Sequence, residues 1–197
     1  VPAHRELDPA VFTVLFVGRL APEKGLPVLI DALGSLQRSI APRQVRFLVV
    51  GTGPLQADIA KQCADLGIQC EFAGAVSGDA VLGYYHRADV LCMASFREGI
   101  PITLMEAMAC ELPCVAPHIT AIPELIEHDV TGLTTTAGRS DLIAEQLLRC
   151  AKDPEFGRDI GRAGRTRVVA EFNAQQSVEQ MSDFFGPILD RARSELA

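Results

Sequence analysis

A single α/β domain on a doubly wound parallel sheet of about six strands, flanked by helices and followed by a helical C-terminal tail, is the fold class this sequence predicts. Two observations lead there. From Phe12 onward, short apolar runs of strand length alternate with longer amphipathic stretches of helix length. After Thr135 the alternation stops and only helical patterning continues. The 197 residues, 48% of them hydrophobic, suffice for one well-filled core.

The elements follow in order. Residues 1–10, VPAHRELDPA, are polar, punctuated by proline and without periodicity, and read as a linker or interdomain segment. The absence of an initial Met suits a fragment of a longer protein. Residues 11–172 form the α/β domain. The first strand covers 12–17, its loop 18–25 holds Arg19 and Lys24, and the next helix runs to about Ser39. A second strand over 45–50 leads through Gly51-Thr52-Gly53-Pro54 into a helix over 55–66. A third strand at 68–72 precedes a helix around 79–86, and DVLCMA at 89–94 is the fourth, buried strand. Short strands at 113–116 and 132–135 flank a small helix near 123–127. Helices over 140–151 and 154–170 follow, with 173–197 as C-terminal helices.

Composition narrows the function. A formal charge of −7 and a pI near 5.1 leave no basic stripe for nucleic acid or an anionic membrane. Trp is absent and aromatics are 6%, so stacking platforms for single strands are not expected. The six cysteines have no Cys-x-x-Cys spacing and read as reduced core residues, which favours the cytoplasm. The four histidines lack metal-ligand spacing, no apolar run reaches transmembrane length, and no signal peptide is visible.

The chemistry concentrates in 97–109, REGIPITLMEAMA. Pro101 is suited to the first helical position, so a helix starts there and its unpaired N–H groups point into the preceding loop. With the helix dipole they form a site for anionic oxygens such as phosphate. Glu98 stands at its mouth. Ile102, Met105 and Ala109 follow core spacing, whereas Thr103 and Glu106 share a face that borders a cleft. Glu106 lies roughly 7 Å along the axis from Pro101, a distance that suits a ligand with phosphates at the helix end and sugar hydroxyls beyond. Either carboxylate alone would read as a cap or a solvated side chain. Loops after successive parallel strands meet at the carboxyl edge, so the Arg19–Lys24 loop and the Glu98 loop face one crevice.

The stretch SFREGIPITLMEAMA resembles the Glu-x7-Glu motif of the retaining family 4 glycosyltransferases of the GT-B fold. GRLAPEKG at 18–25, VVGTGP at 49–54, FAG at 72–74 and AIPELIEHDVTGL at 121–133 match the same family in order, over nearly the whole chain, and 97–101 is closest in wording to polysaccharide-assembly members. The resemblance implies a Rossmann-like domain forming one half of a GT-B fold, the half that binds the donor. It implies a nucleoside-diphosphate sugar as donor substrate and a saccharide or lipid-linked acceptor held by a missing N-terminal domain. Transfer proceeds with retention of configuration, without cofactor or metal.

Residue by residue, the resemblance places the donor phosphates on Arg19 and Lys24, in the loop that Gly18 opens, and on the amides of Thr103 and Leu104, to which the helix start itself adds that of Ile102. Glu106 bonds the ribose hydroxyls, and Glu98 orients hydroxyls of the transferred sugar. Gly99, Ile100 and Pro101 line the sugar pocket with backbone, and Gly53 and Val76 lie near the base. Glu98, Arg19 and Lys24 form the implied catalytic group. The full-length protein is expected in the cytoplasm, with peripheral docking on the inner membrane face left open. Glu111 stands where a helix-ending glycine is usual, which argues against a left-handed cap there. Thr120-Ala121 replace a Gly-Gly pair and put close backbone approach in question, and Asp129-Val130 replace Asp-Gly at a surface turn.

Two other readings remain open. Gly51-Thr52-Gly53 after a strand, with Glu71 twenty positions past Gly51, is part of a dinucleotide-binding fingerprint, although Gln56 stands in place of the third glycine. A nucleotide-sugar epimerase or a non-catalytic sugar-nucleotide-binding module would share the phosphate chemistry.

Overall fold

The computed structural model describes residues 8–76 and 78–173 and positions 178, 182, 184 and 185. The expected helices over 173–197 lie for the most part outside the described residues. A six-stranded sheet, parallel throughout, runs in the order β3-β2-β1-β4-β5-β6. Its strands are β1 (Val11–Val17), β2 (Gln44–Val50), β3 (Gln69–Gly74), β4 (Val90–Cys92), β5 (Cys114–Pro117) and β6 (Leu133–Thr135). Between them come α1 (Leu26–Ile40), α2 (Gln56–Asp65), α3 (Leu82–His86), α4 (Ile102–Ala109) and α5 (Ile122–Leu125). The helices α6 (Ser140–Lys152) and α7 (Pro154–Glu171) follow β6.

Strand order explains where a ligand can enter. Successive strands step outward from β1 to β3, and the chain then returns past β1 to lay down β4 on its other side. The loops leaving β1 and β4 therefore diverge and open a crevice at the carboxyl edge, the topological switch point of such sheets.

The sheet is covered on both faces because its strands alternate within a continuous apolar run. From β1, Phe12, Val14 and Phe16 join one core cluster with Leu29 and Leu33 of α1, Ile59 of α2 and Leu147 of α6. Leu15 joins the other, with Tyr85 of α3, Leu104 and Met108 of α4, and Val168 of α7. Asp89 pins the start of β4 to its neighbour: its carboxylate accepts from the Thr13 N–H at 2.7 Å and its own N–H donates to Thr13 O at 2.9 Å. The ladder of β4, Val90–Cys92, is shorter than the apolar run 89–94, whose last residues continue into the loop.

Three expectations about α4 change. Pro101 is the residue before the first helical turn, with an extended backbone (ψ 115°), and Ile102 opens the helix. The fully buried residues are Leu104, Ala107 and Met108; Met105 and Ala109 are partly buried against the same core, while Ile102 is 65% exposed. A period of 3.6 fits either stripe, and only the side on which the sheet lies decides between them. The left-handed cap is present despite Glu111, whose φ is 57°. Leu112 N–H donates to Ala107 O at 3.0 Å and Glu111 N–H to Met108 O at 2.9 Å, the paired closure of a Schellman end with Leu112 buried. The other two departures also adopt positive φ, 44° at Thr120 and 65° at Asp129.

Candidate functional site

The loop after β1 reaches the crevice through a close backbone contact. Gly25 has φ 63°, and a Cβ there would sit 2.0 Å from Ala94 O, so no larger residue lets this loop lie on the one leaving β4. Phe96 N–H donates to Glu23 O at 2.8 Å across the same junction. The contact brings two opposite charges together: Lys24 Nζ donates to Glu98 Oε1 at 2.8 Å, with the Lys24 side chain 21% and the Glu98 side chain 9% exposed. Arg19 is exposed, and its guanidinium has no hydrogen bond or ion pair among the described residues.

The start of α4 supplies donors. Among the described residues the N–H groups of Ile102 and Thr103 have no partner, whereas Leu104 N–H is given to Pro101 O at 3.1 Å. The expected donor trio is therefore a pair, because the extended Pro101 turns its carbonyl back over the first helical turn. Gly99 faces open space, with nothing within 4 Å of a Cβ placed there, and Ile100 is 45% exposed.

Beside this helix lies a cavity of about 460 Å³, lined by Val17, Val76, Gly78, Asp79, Val81, Leu82, Ile102, Thr103 and Glu106. The shared face of Thr103 and Glu106 thus does border a cleft, and Val76 lies in its wall. Gly18, Arg19, Lys24, Gly53, Glu98, Gly99, Ile100, Pro101 and Leu104 are not part of that lining. Behind Glu106 stands Tyr85, fully buried, whose hydroxyl donates to Glu106 Oε2 at 2.7 Å and lies 3.3 Å from Thr103 O. Burial, and next the Glu106 carboxylate, push the Tyr85 phenol well above its ordinary pKa, so it stays a donor. Tyr85 did not stand out in the sequence, since its partner is on another element 21 positions away.

The arrangement joins a cation, two free helix-end donors and a carboxylate in the wall of a cavity that is part polar and part apolar, a combination suited to an anion carrying a polyhydroxylated group. Among the described residues no group of three or more His, Cys, Asp or Glu could hold a metal ion. No helix among them is long and apolar enough to cross a membrane. The Gly51-Thr52-Gly53 loop is not open to a pyrophosphate. A Cβ on Gly51 would meet Gly18 O at 1.9 Å and one on Gly53 would meet Leu20 O at 2.4 Å, so both glycines serve packing against the loop after β1. Glu71, the candidate ribose acid of that reading, is paired with Arg87 at 2.9 Å.

Residues 4–167 match the family model for glycosyl transferases group 1. The chain belongs to this family. Among its relatives is the amylovoran biosynthesis glycosyltransferase AmsK of Erwinia amylovora, 32% identical over an alignment of 178 residues that covers 86% of this chain and 43% of that protein. Anabaena Alr3699/HepE, solved in complex with UDP and glucose, superimposes with a TM-score of 0.80 at 26% identity over 90% of this chain and 48% of that one. The C-terminal domain of a glycosyl transferase group 1 family protein (LpcC) from Francisella tularensis shares the fold at a TM-score of 0.74 and 22% identity, covering 83% of this chain and 87% of that one. The chain spans less than half the length of the first curated relatives it matches, at 43%, 42% and 46%.

Proposed function

We propose that this chain is the donor-binding half of a glycosyltransferase. The enzyme would move a sugar from a nucleoside-diphosphate sugar to a saccharide or lipid-linked acceptor with retention of configuration, in polysaccharide or glycoconjugate assembly. The observation that carries this reading is the placement of Lys24 against Glu98 beside the open start of α4, with Glu106 facing the adjoining cavity. The names of AmsK and of the HepE complex with UDP and glucose support the same substrate classes.

In this reading the diphosphate sits on Arg19, Lys24 and the amides of Ile102 and Thr103. When the bond from the anomeric carbon to the diphosphate oxygen breaks, these donors stabilise the charge on the leaving group without a metal ion. Glu98, fixed by Lys24, turns an oxygen toward hydroxyls of the transferred sugar, and Glu106 accepts from the ribose. The acceptor comes from a second domain, whose closure excludes water from the crevice.

Thermal unfolding of the chain with UDP, GDP, ADP and NAD tests the donor site, because a ligand selective for the folded state raises the midpoint by mass action. A rise with a nucleoside diphosphate that persists in EDTA and is lost in Lys24→Ala is the expected outcome. A rise with NAD alone would contradict it.

A further inference from the structure

We infer that Tyr85 is a positioning residue for nucleotide recognition, holding Glu106 Oε2 so that Oε1 alone is presented to a ribose; this rests on the donor-site reading above. Three observations carry it. Tyr85 Oη is 2.7 Å from Glu106 Oε2, while Glu106 Oε1 has no hydrogen bond among the described residues and Glu106 lines the cavity. Tyr85 is fully buried and absent from the cavity wall, so it can act on a ligand only through Glu106. Its hydroxyl also lies 3.3 Å from Thr103 O, one turn earlier on α4, so a single side chain of α3 spans the stretch of helix that faces the cavity.

The physical consequence is orientational. A glutamate on a helix surface samples several rotamers, and ordering it on binding costs free energy that weakens the contact with the ligand. A charge-assisted bond from a buried phenol removes that freedom beforehand, because the phenol is locked by the core around it and has no water to turn to. Leu82, on the same helix α3 as Tyr85, forms part of the cavity wall, so α3 sets both a piece of the wall and the carboxylate. The carboxylate oxygen left over is an acceptor for vicinal hydroxyls. The ligand feature that Tyr85 governs is therefore discrimination between ribose and deoxyribose.

Tyr85→Phe keeps the ring in the core and removes the hydroxyl. Calorimetric titration of the 197-residue chain with UDP and GDP, and with their 2′-deoxy and 3′-deoxy counterparts, reads the effect. The expected result in Tyr85→Phe is a loss of about 3- to 10-fold in affinity for the ribonucleotide that binds, with a smaller loss for a counterpart that lacks one of the two hydroxyls. Equal weakening of both would mean that Tyr85 only supports the fold, and wild-type affinity and discrimination would mean that it does not position Glu106; either overturns the inference. Glu106→Ala is the control for the underlying site. If it binds every nucleotide as the wild type does, or if the wild type binds none, the donor-site reading itself fails.

Discussion

Lys24 and Glu98 form a contact whose energy depends on burial. A surface ion pair contributes at most about 1 kcal/mol, but Glu98 keeps only 9% of its side-chain exposure and would be left without a cation if Lys24 were removed. Lys24→Ala is therefore expected to destabilise the ligand-free chain by about 1–3 kcal/mol in urea unfolding, and Glu98→Gln in the same background should cost much less than it does alone. Strict additivity of the two changes would show that the pair carries no energy. That the two loops carrying these residues face one crevice could be read from the sequence. Their direct contact could not, since it depends on Gly25 lying against Ala94 O, a tertiary fact. Tyr85 was hidden for the same reason: a tyrosine in a short amphipathic segment has an apolar body that reads as core, and nothing local names the partner of its hydroxyl.

Helix α4 is positioned by α7, and the contact is set by glycines. A Cβ on Gly161 would lie 2.1 Å from Glu111 O, a backbone atom that cannot step aside, whereas one on Gly157 would meet Pro113 Cγ at an ordinary 3.7 Å. Both changes gain up to about 1 kcal/mol of helix propensity, so the sign is decided by space. Gly161→Ala should destabilise the fold by at least about 2 kcal/mol and Gly157→Ala should be neutral or stabilising, measured by chemical denaturation. The cap at Glu111 gives a further case at this scale. A non-glycine residue at φ 57° is strained by about 1–2 kcal/mol, and the Arg165 contact it would forfeit is a half-exposed 3.8 Å ion pair of small worth. Glu111→Gly is expected to raise stability by about 1 kcal/mol, and a loss would mean that the side chain contributes more than its exposure implies. Strands and helices were legible because period-two and 3.6-residue patterns are local. The buried face of α4 was not, because its apolar residues satisfy two stripes and the choice belongs to the sheet beside it.

At the scale of the whole molecule, strand order places both functional loops at one switch point, and that much follows from alternating strands and helices in a parallel sheet. With a net charge of −7, attraction for a phosphate has to be local, and the proposed site would draw it from Arg19, Lys24 and the start of α4. A domain that supplies only the donor side should bind nucleotide yet transfer no sugar by itself; sustained transfer by these 197 residues in a product assay would remove the need for an acceptor domain. The proposed site has two parts, phosphates at Lys24 and ribose at Glu106. Calorimetric titration of wild type, Lys24→Ala and Glu106→Ala with a nucleoside diphosphate and its monophosphate tests it most directly. In Lys24→Ala the preference for the diphosphate should collapse, while Glu106→Ala should weaken both ligands by one common factor of about 10. Wild-type preference retained in Lys24→Ala, or unchanged affinity in Glu106→Ala, would contradict the two-part site.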